Sequence, residues 1–360
     1  MRLVMAGGGT GGHLFPALAL ADEFKRLDPS VEIVFIGTER GLESKVVPSR
    51  GYKLETLDVE GLKKRSSGAK IRAGLKAAKA TIHCYSSLRR LKVDGVIGSG
   101  GYSSGPVVLA ARLLGIKTAI IEQNALPGLT NRLLGKIAGR IYLSFEEAVK
   151  FFPSGRTMVT GNPIRRGILR GAVERRRGRG DKRFRIFVFG GSQGATAINA
   201  AFLDAAEHLA DIWGSLAVTH QSGSDGYKQT EAAYKRKGIK VDLYEFIDDM
   251  AGAYGSADLV VCRAGATSIA ELSAFGLPSI LVPYPFSSDG HQDVNAKAVV
   301  DRGGALMIPQ HELTGSSLAA LIRKLYEDPT LLKTMRDKAK SLAKPKAAET
   351  IVGNFKEFIS

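Results

Sequence analysis

Six short apolar runs divide the first half of the chain, at about 2–6, 31–36, 52–57, 94–98, 117–121 and 141–143. Six more divide the second half, at about 184–189, 215–220, 241–246, 259–263, 279–283 and 305–308. The residues between them carry helical spacing. Runs this short and continuous read as strands, and their alternation with helices predicts an α/β protein with parallel sheets, each covered on both faces through right-handed connections. Gly161-Asn162-Pro163 interrupts the pattern. It sets the expected boundary between an N-terminal domain, residues 1–163, and a C-terminal domain, residues 164–341. The segment 342–360 is helical in pattern after Pro345, and it is expected to pack back on the first domain.

Glycine concentrates where strands end. Ala6-Gly7-Gly8-Gly9-Thr10-Gly11-Gly12-His13 follows the first run, and Phe189-Gly190-Gly191-Ser192-Gln193-Gly194-Ala195 follows the first run of the second half. Both read as strand, tight turn and helix N-terminus, a geometry that brings backbone N–H groups close to an anionic ligand. Two such turns, one opening each half, suggest twin nucleotide-binding-type domains about a shared cleft. A third turn, Gly98-Ser99-Gly100-Gly101-Tyr102-Ser103-Ser104-Gly105-Pro106, ends the fourth run, and with the first it offers a cradle for a pyrophosphate. Tight strand-to-helix packing selects glycine as well. Gly7-x-Gly9-x-x-Gly12 has dinucleotide spacing, but the acidic residue that would hold a ribose is missing from the end of the second strand, where Ile36-Gly37-Thr38 stands. No Gly-x-x-x-x-Gly-Lys-Ser/Thr occurs. His13 at the helix mouth has two readings, a neutral imidazole that takes a proton from a hydroxyl or a residue that caps the helix.

In the second half, Arg263-Ala264-Gly265-Ala266-Thr267-Ser268-Ile269-Ala270-Glu271 ends a strand and opens a helix. Its small residues expose amides for phosphates, and Glu271, one turn beyond Thr267, is placed either for a ribose diol or as an ordinary glutamate of the helix start. Asp289-Gly290-His291-Gln292-Asp293 presents polar groups suited to a sugar, without metal-ligand spacing. No Asp-x-Asp motif is present, which favours chemistry without a divalent cation.

Composition changes the picture in one respect. With 44% hydrophobic and 24% charged residues the chain reads as globular, and its two cysteines, Cys84 and Cys262, build neither a disulfide framework nor a zinc cluster. No apolar stretch is long enough to span a bilayer, and the first residues enter a strand with no signal-peptide pattern. The formal charge of +16, however, is local. Residues 61–92 hold ten Lys/Arg and no acid, and residues 165–185 carry a net +8. The first of these segments has apolar residues at Ile71, Leu75, Ala78, Ile82 and Tyr85, a helical stripe expected to pack on the sheet. Leu62 and the surrounding lysines also suit an anionic membrane surface. Nucleic acid is a competing partner, but Tyr85 is the segment's only aromatic and no RNA-binding signature accompanies it. The arginine run at 175–185 has no assigned role.

Taken together, the motifs resemble the MurG family of bacterial UDP-N-acetylglucosamine transferases, which convert the first lipid-linked peptidoglycan precursor into the second. The resemblance runs in order from Gly7–Pro16 through Gly100–Pro106, Glu122-Gln123-Asn124-Ala125-Leu126-Pro127-Gly128-Leu129-Thr130-Asn131 and Gly161–Arg165. It continues through Gly190–Ala195, Glu245–Met250, Cys262–Ala266 and His291–Ala296. It implies a GT-B fold, transfer with inversion at the anomeric carbon, and no cofactor. It implies that the second domain holds UDP-N-acetylglucosamine: the backbone of Ile247 on the uracil, Glu271 on the ribose, and Arg165, Ser192, Ala266, Thr267 and Ser268 on the diphosphate. Asn124 and Gln292 would meet the sugar, and Thr10, Gly11 and Gly12 join the donor set. The acceptor is undecaprenyl-pyrophosphoryl-N-acetylmuramyl-pentapeptide, with Gly9, Gly101, Tyr102 and Ser103 near its pyrophosphate and His13 as base for the C4 hydroxyl. A peripheral place on the anionic cytoplasmic face of the cell membrane follows, with no nucleic acid. Ile121 departs from the family pattern, which has histidine before Glu-Gln-Asn. The alternatives are another UDP-sugar enzyme of this architecture, such as a 2-epimerase, or a non-enzymatic basic protein that binds nucleic acid or membranes.

Overall fold

The computed structural model describes residues 1–39, 41–58, 67–174, 183–191 and 194–360, with side chains described in all of these except 67–73 and 288. The chain forms two compact units: Met1–Arg165 with Lys344–Ser360, and Arg166–Ala343.

The first unit runs β1 (Arg2–Ala6), α1 (Gly11–Leu27), β2 (Glu32–Gly37), α2 (Glu43–Ser49), β3 (Lys53–Thr56), α3 (Ser67–Leu91), β4 (Gly95–Gly98), α4 (Ser104–Leu113), β5 (Lys117–Glu122), α5 (Leu129–Leu134), β6 (Arg140–Leu143) and β7 (Thr157–Val159). Every pairing is parallel, in the order β3-β2-β1-β4-β5-β6-β7. The second unit runs α6 (Arg166–Val173), β8 (Phe184–Phe189), α7 (Thr196–His208), β9 (Leu216–Gln221), α8 (Tyr227–Lys237), β10 (Asp242–Tyr244), α9 (Met250–Ser256), β11 (Leu259–Cys262), α10 (Ala266–Phe275), β12 (Ser279–Leu281), α11 (His291–Val300), β13 (Ala305–Met307), α12 (Gly315–Glu327) and α13 (Pro329–Ser341). Its sheet is also parallel, ordered β10-β9-β8-β11-β12-β13. The last helix, α14 (Ala347–Ile359), belongs to the first unit. All twelve apolar runs contain strands. β7 escapes the pattern because it is three residues at a sheet edge, with Met158 exposed.

Strand side chains alternate between faces. In β1, Val4 and Ala6 join one core with Cys84 and Leu88 of α3 and Val107, Val108 and Ala111 of α4. Leu3 and Met5 join the other, with Leu14, Ala17, Leu18 and Phe24 of α1 and Ile351, Val352 and Phe355 of α14. Burial on both faces explains why β1 reads as a continuous apolar run. Helix α14 is fixed by the edge-on pair Phe24–Phe355 (6.4 Å between centroids), the Tyr142 hydroxyl donating to Asn354 Oδ1 (2.9 Å), and Phe358 beneath the Arg140 guanidinium (4.3 Å). In the second unit, Ile186, Val188, Val218 and Val261 face α7 and α12, while Phe187 and Phe189 stack at 4.9 Å with Tyr254 edge-on to both.

The described part of the α3 stripe is not a packing stripe, and the Ile71 side chain lies outside the described residues. Leu75 is 62% exposed, Ile82 69% and Tyr85 37%, while Ala80, Cys84, Ser87 and Leu88 face the core. Apart from Leu88 these inward residues are small, where α3 packs against α4. Leu75, Ile82 and Tyr85 are left outside.

Candidate active site

Strand order reverses at β1/β4 in one unit and at β8/β11 in the other, so the carboxyl ends of these strands are the expected ligand positions of parallel α/β sheets. All three glycine-rich turns lie at such ends.

In the first unit, Ala6 of β1 is level with Gly98 of β4, and the Ser99 amide donates to the Ala6 carbonyl (2.7 Å). The two turns are close enough that a Cβ on Gly7 would sit 2.0 Å from Ser99 Oγ, and one on Gly101 (φ +79°) would sit 2.8 Å from the Gly8 carbonyl oxygen. Thr10 is the N-cap of α1, and its carbonyl accepts from the His13 amide (3.2 Å) and the Leu14 amide (3.1 Å). The first turn of α1 carries neither a capping side chain nor an acid. The His13 ring turns away from the helix backbone. Its Nδ1 is 2.9 Å from the Ser99 carbonyl oxygen and 3.3 Å from Gln123 Oε1, while Gln123 Nε2 donates to the same Ser99 oxygen (2.9 Å). Both neighbours of Nδ1 are acceptors, so in the neutral ring Nδ1 carries the proton and Nε2 the lone pair. The ring's hydrogen bonds thus run to Ser99 and Gln123, away from its own helix.

Glu122 organises the loop after β5. Its buried carboxylate accepts from the Asn124 amide (2.9 Å), Asn124 Nδ2 (3.2 Å), the Gly128 amide (3.2 Å) and Asn131 Nδ2 (3.0 Å). Asn124 is held at the loop's start and Gln123 points back to His13. Ile121, where the family pattern has histidine, is buried among Leu3, Met5 and Leu14. Tyr102 is exposed and Ser103 buried at the second turn. The Gly9 amide donates to Glu43 Oε2 (2.7 Å). The Arg165 guanidinium stands over the Phe15 ring of α1 at 4.6 Å, within the first unit.

In the second unit, a Cβ on Gly194 (φ +80°) would lie 2.0 Å from the Ser222 carbonyl oxygen, so the turn is pressed against the end of β9. Gln221, buried at that end, donates from Nε2 to the Gly191 carbonyl (3.0 Å) and accepts at Oε1 from the Ile247 amide (3.0 Å). Beneath it, buried His220 meets Asn199 Oδ1 through Nε2 (3.0 Å) and the Tyr234 hydroxyl through Nδ1 (2.8 Å). Asn199 Nδ2 donates to the Ser222 carbonyl (2.9 Å), so its oxygen is an acceptor and the His220 proton lies on Nε2. Desolvation lowers the His220 pKa to about 4 and keeps the ring neutral. Ser192 lies outside the described residues.

Ala266, Thr267 and Ser268 form the first turn of α10, capped by Gly265, again without an acid or a side-chain cap. Glu271 is buried on the next turn and accepts from the Tyr254 hydroxyl (3.1 Å). Gln292, on the first turn of α11, accepts from the Tyr284 amide (2.9 Å). Arg263 braces the strand ends: it donates to the carbonyls of Val282 and Pro283 (3.2 Å each) and to Gln310 Oε1 (2.7 Å). Among the described residues no three His, Cys, Asp or Glu side chains form a metal-binding group. Glu43, Ser99, Gln123 and Gln221 were not singled out as site residues from the sequence. Ser99 and Gln123 lie inside quoted motifs, but the contacts that give all four their place span 26 to 110 residues of chain, beyond any local spacing.

Residues 3–143 match the glycosyltransferase family 28 N-terminal domain, and residues 185–351 match the C-terminal domain of the same family. A UDP-N-acetylglucosamine–N-acetylmuramyl-(pentapeptide) pyrophosphoryl-undecaprenol N-acetylglucosamine transferase of Myxococcus xanthus is 48% identical, over 98% of this chain and 91% of the relative. A Geobacter transferase of the same name is 46% identical, over 98% and 95%. The crystal structure of Acinetobacter baumannii MurG shares 33% identity and superposes with a TM-score of 0.79 over 99% of both chains. Likeness of this extent, through both halves, makes the chain a member of glycosyltransferase family 28 and, within it, of the MurG family.

Proposed function

We propose that this protein transfers N-acetylglucosamine from UDP-N-acetylglucosamine to the C4 hydroxyl of undecaprenyl-pyrophosphoryl-N-acetylmuramyl-pentapeptide, inverting the anomeric centre. The observation that carries the chemistry is the tautomer of His13, whose Nδ1–H is spent on Ser99 and whose Nε2 is left to take the hydroxyl proton. Direct displacement also needs stabilisation of the departing UDP. The amides at the start of α10, with Ser192 and Arg165, are assigned that charge. Ile247 is assigned to the uracil, Glu271 to the ribose, and Asn124 and Gln292 to the sugar, with Thr10, Gly11 and Gly12 completing the donor set. Gly101, Tyr102 and Ser103 are assigned to the acceptor's pyrophosphate.

The acceptor's lipid gives the outer face of α3 a use. Leu75, Ile82 and Tyr85 of α3, Leu109 and Leu113 of α4, and Leu129 and Leu133 of α5 are exposed on helices packed side by side, with Lys79, Arg89, Arg112 and Lys136 exposed on the same helices or beside them. We assign this apolar and basic surface to an anionic membrane at its cytoplasmic face, reached peripherally. No helix among the described residues is long and apolar enough to cross a membrane. Lys63, Lys64 and Arg65 lie outside the described residues.

The test is incubation with UDP-N-acetylglucosamine and the lipid-linked muramyl-pentapeptide in the presence of a chelator. Release of UDP together with a lipid-linked disaccharide is expected. Failure to form the disaccharide ends this reading.

A further inference from the structure

We propose that the first glycine-rich turn is filled from within the protein: the Glu43 carboxylate takes the place an anionic ligand would have at such a turn, and Glu43 is thereby a positioning residue for His13. Glu43 is the first residue of α2 and fully buried. Its carboxylate accepts three hydrogen bonds, from the Gly9 amide (2.7 Å), the Thr38 amide (2.8 Å) and Thr38 Oγ1 (2.7 Å). Three glycines surround it. A Cβ on Gly8 would lie 2.2 Å from the Glu43 Cδ, one on Gly37 2.6 Å from Cγ, and one on Gly41 2.1 Å from Oε2. The glycines therefore make room for a side chain of the protein itself.

Successive backbone amides at a glycine turn form an anion-binding concavity. Here the Gly9 amide points inward to Glu43, while a Cβ on Gly9 would meet nothing within 4 Å. A phosphate placed at Gly9 would compete for an occupied donor and approach a carboxylate, and like charges repel. The acceptor's pyrophosphate is thus excluded from Gly9, which revises the place the sequence pattern suggests for it.

The same contact sets the base. Gly9 precedes Thr10, the N-cap whose carbonyl receives the His13 amide, and His13 Nδ1 is locked on Ser99. Fixing Gly9 fixes the start of α1 and with it the direction of Nε2. Displacing a catalytic group by even about 1 Å costs rates on the order of 10²-fold. This assignment rests on His13 acting as the base.

The experiment is steady-state kinetics of Glu43→Gln with both substrates, beside amide hydrogen exchange of the substrate-free protein. A carboxamide has one acceptor oxygen, so whichever way it turns, an amide of Gly9 or Thr38 faces an NH2 group. A fall in kcat of about 10- to 100-fold is expected, with KM for the lipid-linked acceptor and the Kd for UDP within about twofold of the parent. Exchange at Gly9 and through the start of α1 is expected to accelerate by at least about tenfold. Thr38→Val removes one of the three hydrogen bonds with little change of volume. It is expected to shift kcat the same way by about two- to fivefold, and it serves if Glu43→Gln does not fold. Unchanged kcat and unchanged exchange overturn the proposal. So does a lower acceptor KM, because release of the Gly9 amide would then have improved a phosphate site. If His13→Ala retains turnover, it is the base assignment that fails, and the exchange data still decide whether Glu43 holds the turn.

Discussion

The two glycine-rich turns that open the two units share a local plan and differ in what their glycines accommodate. At Gly7–Gly12, Gly8 leaves room for the carboxylate of Glu43 and Gly7 for the hydroxyl of Ser99. At Gly190–Gly194, the missing Cβ atoms would strike backbone: the Ala195 nitrogen at 2.2 Å from Gly190 and the Ser222 oxygen at 2.0 Å from Gly194. The first turn is thus packed around side chains of the protein. The second is pressed against the neighbouring strand end and tied through Gln221 to Ile247. Glycine thus serves two turns of different construction, the first of which we assign to the base and the second to the nucleotide.

That contrast is sharpest in a pair of variants. His13→Ala is expected to lower kcat by about 10²- to 10⁴-fold, the usual worth of a general base, while calorimetric affinity for UDP stays at the parent value. Retained turnover would remove His13 from the chemistry. Gly194→Ala is the converse experiment. A methyl group at φ +80° and 2.0 Å from a carbonyl oxygen is expected to cost UDP affinity at least about tenfold, since the turn must move. If UDP affinity survives in a folded Gly194→Ala protein, the second turn does not shape the nucleotide site.

Acid provides a third separation. His220 has a folded-state pKa of about 4 against an ordinary value of 6.5, because burial penalises the cation. Between these values the unfolded chain binds a proton that the folded chain refuses. Stability of the second unit is therefore fully present above pH 6.5 and declines as the pH falls toward 4, by about 3 kcal/mol in all. Urea midpoints from pH 7.5 to 4.5 would follow this loss. His220→Gln should flatten the contribution, and an unchanged slope in that variant would exclude His220 as its source.

The smallest effect belongs to the first unit's exterior. Ile82→Glu on α3 is expected to weaken binding to anionic vesicles several-fold, by the loss of roughly 1–2 kcal/mol of apolar burial, without altering turnover on a detergent-dispersed acceptor. Parent-level vesicle binding by this variant would show that the exposed stripe is not the contact surface.

The fold was legible because buried parallel strands must be apolar on both faces, so β1, β5, β8 and β11 stand out as continuous runs between helices. β7 was not legible, since three residues at an edge carry no such constraint. The outward stripe of α3 was misread as inward because periodicity reports that a helix has two faces without saying which one meets the sheet. Against neighbouring α4 the helix turns in Ala80, Cys84, Ser87 and Leu88, and Leu75 and Ile82 are turned out.

For the site, the sequence by itself determined the chemical inventory: a histidine at the mouth of the first helix, glycines at the strand ends, and small residues opening α10. These are local facts, written in consecutive residues. Only the tertiary structure decided what each one does. The proton on His13 is placed by a carbonyl 86 residues away, the Gly9 amide is taken by a carboxylate 34 residues away, and the Ile247 amide is held by Gln221 across 26 residues. Hydrogen bonds act over about 3 Å of space regardless of separation along the chain, so the use of each group is set by which strand ends the parallel sheets bring together.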